Sequence, residues 1–109
     1  MPVMMSGEEF VRGYGELYGI EVLEKDRAAL IYLLDTAPPA EVMLFNLFLG
    51  MARGRFGGST PVRTAVEDGR LAIIVQTDDP EWVESFRVCL MSDFQHPAAR
   101  RILIRDHQG

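Results

Sequence analysis

The sequence contains one cysteine, Cys89, and one lysine, Lys25. A single cysteine excludes an internal disulfide and any one-chain zinc site built from two or more thiolates. One lysine beside ten arginines reflects a GC-rich coding sequence and points to a bacterial or phage source, without functional content. Long apolar runs are also missing. The longest, from Val42 to Ala52, is interrupted by Asn46 and Gly50 and is too short to span a bilayer. Residues 1–9 hold no basic segment and no apolar run, so no secretory signal is expected and the cytoplasm is the expected compartment. No Gly-x-Ser-x-Gly, His-Glu-x-x-His, EF-hand or dinucleotide fingerprint occurs. Repeats, low-complexity tracts and linkers are absent as well, so residues 1–109 are expected to form one domain.

What is present is an ordinary globular composition, 48% hydrophobic and 25% charged, which excludes disorder. Sixteen acids against eleven bases give a net charge of −5, which argues against nucleic acid and anionic membranes as partners. The charge is uneven. Residues 1–41 hold eight acids and three bases, whereas 53–63 and 100–105 hold arginine alone among charged residues.

Ser6-Gly7-Glu8-Glu9 is a capping box, and Phe10, Val11, Tyr14, Leu17 and Tyr18 follow at helical spacing. A helix over about 7–18 is expected, weakened by Gly13 and Gly15 and stopped at Gly19. Residues 20–35 fit two patterns. Ile20 and Val22 alternate with charges and Ile31-Tyr32 suits a strand, which puts a hairpin turning at Lys25-Asp26 slightly ahead. A helix capped by Asp26 is the alternative, since alanine, leucine and arginine favour one.

Pro38-Pro39 forces a boundary, and residues 40–53 read as a helix ended by Gly54. That helix has almost no polar face and is expected to be buried on several sides. Val62–Glu67 and Leu71–Thr77, joined by Asp68-Gly69, form a hairpin whose second strand is apolar on both faces and therefore central. Asp79 with Pro80 opens a further helix, with Trp82, Val83, Phe86, Cys89, Leu90 and Phe94 as its inner stripe. The tail, 98–106, fits a last edge strand over 102–104 or a short helix from Pro97. The expected fold is α+β: three main helices and a small antiparallel sheet of four to five strands, ordered α-β-β-α-β-β-α-(β).

Three constellations invite chemistry. Arg53, Arg55 and Arg63 surround a loop containing Gly57 and Gly58, a candidate anion or ligand site. However, the P-loop lysine is absent, and the order is helix-loop-strand rather than strand-loop-helix. Cys89, Asp93 and His96 share one face of an unbroken helix, yet a buried structural cysteine is the commoner state. Asp78, Asp79, Glu81 and Glu84 suit helix capping better than cation binding. No catalytic residue, metal site or cofactor is expected, and a non-catalytic role is favoured over an enzyme.

The mostly apolar helix remains, and Met43, Phe45, Phe48 and Met51 are the candidate protein-interface residues on it. The expected function is protein–protein interaction as an adaptor, chaperone or inhibitor, self-associating as a homodimer. In element order, size and acidity the chain resembles the small acidic chaperones of type III secretion systems, a resemblance without a diagnostic motif that implies pairing through a central helix and strand. Small-molecule or anion binding, or a small enzyme, at residues 53–63 is the alternative. A winged-helix DNA-binding regulator is third, because residues 40–53 offer Asn46 alone for base reading before Arg53.

Overall fold

A computed structural model describes residues 6–56 and 61–107, the side chains at 17 and 18 aside. Its first helix, α1 (Gly7–Gly13), starts as the capping box requires: the Glu9 N–H donates to the Ser6 hydroxyl at 3.2 Å. The Gly7 N–H donates to Asp35 at 2.6 Å, which ties this helix start to the end of the next helix. Glycine is required here, since a Cβ at position 7 would lie 2.5 Å from the Ile31 carbonyl oxygen. After Gly13 the coil widens into a π turn, Tyr14–Tyr18, and Gly19 closes it in the left-handed region at φ 64°. The expected helix over 7–18 is therefore present, with its second half in π geometry.

Residues 20–35 are not a hairpin. Strand β1 is only Glu21–Val22, and Arg27–Thr36 forms helix α2. The reason is visible in the spacing: Leu30 and Leu34 stand four apart and are buried, whereas Tyr32 between them faces solvent. Helix-forming residues with one buried stripe outweigh the strand character of Ile31-Tyr32. Helix α3 (Pro39–Phe56) follows almost at once.

The hairpin at Asp68-Gly69 is as expected. Strands β2 (Val62–Glu67) and β3 (Arg70–Val75) pair antiparallel, and both turn residues have positive φ, 53° and 69°. Helix α4 (Pro80–Asp93) starts where expected, with Asp79 accepting the Trp82 N–H at 3.3 Å. Both readings of the tail are realised in succession: a 3₁₀ turn over Pro97–Arg101, then strand β4 (Leu103–Asp106).

These elements make an α+β fold with four helices and a four-stranded sheet in the order β1-β2-β3-β4. The sheet is mixed rather than antiparallel, because β1 pairs parallel with β2 and β4 parallel with β3. Each parallel pair is joined through helices: α2 and α3 in the first case, α4 in the second. Central β3 carries Leu71, Ile73 and Val75 on the face that meets the helices. Ala65, Ala72 and Ile74 lie on the opposite face, in a small cluster with Leu23 and Leu103. Among the described residues no helix packs a hydrophobic side chain onto that cluster. The ion pairs of this face, Glu21–Arg63 and Glu67–Arg105, run across strands, and their aliphatic stems shield the small apolar residues.

Edge-to-face aromatic pairs hold α3 to its neighbours. Phe56 meets Trp82 and Phe86 of α4 at 4.5 and 5.2 Å, Phe48 meets Phe94 at 5.3 Å, and Tyr14 meets Phe45 at 6.4 Å. Asn46, the polar interruption of the apolar run, accepts the Tyr14 hydroxyl at 3.0 Å and donates to the Val42 carbonyl. Glu41 is 5% exposed and accepts from Arg101 at 3.0 Å, pinning the start of α3 to the 3₁₀ turn. No helix among the described residues is long and apolar enough to cross a membrane.

Candidate functional site

Helix α3 is sorted by its turns into two apolar faces. Val42, Phe45, Phe48, Leu49, Ala52 and Phe56 point into the core and are buried. Met43, Leu47 and Met51, each four residues apart, form a stripe on the other side, and their exposures are 72%, 45% and 37%. At 1.5 Å per residue the stripe is roughly 12 Å long. Gly50 and Gly54 belong to this side. Nothing lies within 4 Å of a Cβ built on either, so packing within the chain does not require glycine at these two positions.

At its carboxyl end the stripe runs into a groove against α4. This groove, about 320 Å³, is lined by Met51 and Arg55 from α3 and by Phe86, Cys89, Leu90 and Asp93 from α4. Its two charged residues are of opposite sign, one from each helix. Val88 is also exposed, but on the side of α4 that faces away from this groove. The arrangement offers a greasy helix face with one positive and one negative group at its rim.

The interface residues expected from sequence divide accordingly. Met43 and Met51 are at the surface, but Phe45 and Phe48 are fully buried in the chain's own core and are not available to a partner. The expectation that α3 is covered on several sides fails for the same reason: the described residues supply a core on one side of the helix. Leu47 was missed. The signal for it was in the sequence, because Gly50 and Gly54 fall on the face opposite the six aromatic and aliphatic core positions, and glycine is a poor core residue.

Of the candidate anion loop, Gly57 and Gly58 lie outside the described residues. Arg63 is in β2 and donates to Glu21 at 3.2 Å, while Arg53 and Arg55 are at the end of α3, with Arg55 turned to the α4 groove. Of Cys89, Asp93 and His96, the first two stay together and His96 is set apart. Cys89 is exposed rather than buried and shares the α3–α4 groove with Asp93. The helix stops at Asp93, and His96 caps the following turn, its Nδ1 accepting the Ala98 N–H at 3.0 Å. Asp79 caps α4, and Glu84 pairs with Arg87, whose hydrogen bonds hold the Glu84 carboxyl below its ordinary range. Among the described residues no group of three His, Cys, Asp or Glu side chains is placed to hold a metal ion.

The outward face of α3 also bears on DNA reading. Three helices followed by a hairpin is indeed the element order, but that face presents Met43, Leu47 and Met51 where base-reading groups would be needed.

A further cleft, about 580 Å³, lies at the carboxyl ends of β3 and β4, where Thr77, Asp78 and His107 meet the start of α4. Two of its polar side chains serve the backbone there, Thr77 accepting the Asp79 N–H and Asp79 that of Trp82, and the main-chain N–H of His107 donates to the Val75 carbonyl.

No protein-family model, no curated protein and no solved structure matches the chain. The resemblance to secretion chaperones therefore rests on size and charge alone, because the hairpin over 20–35 that its element order requires is replaced by helix α2.

Proposed function

We propose that the protein is a non-catalytic binding protein, of adaptor, chaperone or inhibitor type, that associates through the outward face of α3, first of all with a second copy of itself. The observation that carries this reading is the stripe Met43, Leu47 and Met51, which the chain's own core leaves uncovered. Contiguous apolar surface rimmed by charge is the usual mark of a protein contact. A twofold pair needs a self-complementary patch, and this one has Arg55 and Asp93 together at the rim. Two copies facing each other can exchange that pair, the arginine of one meeting the aspartate of the other. Helix–helix approach over Gly50 and Gly54 is unhindered by side chains. An exposed free thiol at Cys89 suits a reducing compartment, which supports the cytoplasm as the place of action.

Size-exclusion chromatography with light scattering tests the reading. The wild-type chain is expected to run as a dimer at concentrations of roughly 50 μM, within the range of a modest homodimer. Leu47→Glu is expected to give a monomer with an unchanged circular-dichroism spectrum. A wild-type chain that is monomeric at that concentration, or a Leu47→Glu variant that stays dimeric, overturns self-association through this face.

A further inference from the structure

A second surface, away from the α3 stripe, has the opposite character. Between α4, the 3₁₀ turn and the amino-terminal ends of β3 and β4 lies a cleft of about 470 Å³. Its charged residues are Arg70, Arg87 and Arg100, and no acid lines it. The chain as a whole carries −5, so three arginines converging on one cleft run against its overall charge. The floor is apolar, made by Met91, Ile102 and Leu103. An adjoining cleft of about 560 Å³ shares Met91 and Arg100 and adds Gln95 and His96.

The basic run 100–105 is mostly spent inside the fold. Arg101 is paired with Glu41 and Arg105 with Glu67. Arg100 is the exception: neither it nor Arg70 has an ion pair or side-chain hydrogen bond among the described residues. Arg87 is oriented by Glu84, which accepts from its Nε at 3.0 Å and from its terminal nitrogen at 2.5 Å. The cleft thus holds two uncompensated guanidinium groups and a third fixed in place. Each guanidinium presents a planar fork of donors, the geometry that oxyanions accept in pairs. His96 adds a donor at the edge of the adjoining cleft, because with Nδ1 accepting a backbone N–H its neutral ring carries the proton on Nε2.

From this we infer that the cleft between α4 and β4 binds an organic phosphate monoester, its dianionic headgroup held by Arg70 and Arg100 and its apolar body resting on Met91, Ile102 and Leu103. Two free positive charges match a dianion, and the cleft volume lies within the range of small-ligand sites. The site is independent of the α3 stripe, and its failure would leave the binding-protein reading untouched.

Titration calorimetry with phenyl phosphate, followed by amide chemical shifts in ¹⁵N-labelled protein, tests this. Saturable binding is expected, with the largest shifts at Met91, Arg100 and Leu103. Inorganic phosphate, lacking the body, and benzoate, with one charge, are each expected to bind roughly tenfold more weakly or worse. Arg70→Ala with Arg100→Ala is expected to weaken phenyl phosphate by at least about tenfold, whereas Arg12→Ala, in the last turn of α1, leaves it unchanged. Should the double variant lose its fold, Arg70→Gln and Arg100→Lys separately carry the same test, each weakening binding because each removes a fork. No saturable binding by wild type, benzoate binding as tightly as phenyl phosphate, or arginine variants that bind like wild type would each overturn the inference.

Discussion

The two faces of α3 differ little in hydrophobicity and greatly in fate. Inward, Val42, Phe45, Phe48, Leu49, Ala52 and Phe56 are sealed between the sheet, α1 and α4; outward, Met43, Leu47 and Met51 meet solvent. The difference teaches that apolar character does not decide burial in a chain of 109 residues, because such a chain has only enough structure to cover one side of its central helix. Side-chain type marks the distinction instead. The buried side holds the phenylalanines, which pack edge-to-face with neighbours. The open side holds methionines and glycines, which are adaptable and small.

The sharpest way to break this comparison is to truncate one residue from each face. Phe48→Ala removes a ring that is fully buried against Phe94 and is expected to cost about 3–5 kcal/mol in urea unfolding. Leu47→Ala, one residue away, is expected to change monomer stability by less than about 0.5 kcal/mol, the ordinary range for a surface site. Comparable losses at the two positions would show that the outward face is packed within the single chain after all.

Next in size is the polar anchor on the inward face. Glu41 lies on the buried side of α3, and Arg101 is its ion-pair partner. Arg101→Met leaves a carboxylate out of water without a counter-charge, at an expected cost of about 2–3 kcal/mol, below a fully buried pair because Arg101 itself is half in solvent. Glu41→Gln in the same background is expected to recover most of it. A loss at Arg101 that Glu41→Gln does not recover would mean the arginine acts by packing rather than by charge.

Much of this was readable in the sequence, and the unread part has a physical pattern. Strong local chemistry was legible: the Ser6 and Asp79 caps, the Asp68-Gly69 turn and the Gly19 stop are all where the residues put them. Long-range pairing was not. Two residues, Glu21 and Val22, make β1 only because α2 and α3 return the chain alongside it, and nothing local to 20–35 announces a parallel partner forty residues away. The arginine cleft is hidden for the same reason. Arg70, Arg87 and Arg100 come from three separate elements, and the basic run 100–105 misleads because Arg101 and Arg105 are consumed by Glu41 and Glu67. The α3 stripe was half legible. Composition showed an excess of apolar residues, but the phase of the helix had to be known to tell Phe48 from Leu47.

Glycine sharpens the comparison at smaller scale. Gly50 faces outward with open space about it, so Gly50→Ala is expected to raise monomer stability by about 0.5–1 kcal/mol through helix propensity. If α3 approaches a second copy closely there, the same change is expected to weaken the dimer, moving the two measurements in opposite directions. Gly7 is the contrasting case. A Cβ there collides with the Ile31 carbonyl, and Gly7→Ala is expected to destabilise by about 1–3 kcal/mol. Thermal unfolding of both variants, with light scattering on the first, separates an unused glycine from a required one.

The smallest expected effect comes from the outer face of the sheet, which stands between the two faces of α3. Among the described residues no helix packs on Ala65, Ala72 and Ile74, yet they are buried, roofed by Leu23, Leu103 and the Glu67–Arg105 pair. The Arg105 guanidinium bonds the Glu67 carboxylate and holds its pKa below the ordinary 4.5. A carboxyl depressed in the folded state contributes stability that is whole above its unfolded value and is lost as the pH falls through its folded value. Wild type is therefore expected to lose part of its stability below about pH 4.5, and Glu67→Gln to lose correspondingly less over that window. The difference at neutral pH is expected to be about 0.5 kcal/mol, since the pair is partly in water. Urea midpoints for both proteins at pH 7 and pH 3.5 measure it. Parallel losses in the two would assign the roof to the aliphatic stems alone, and the charge would then serve only to keep that face from the association that the uncharged stripe of α3 invites.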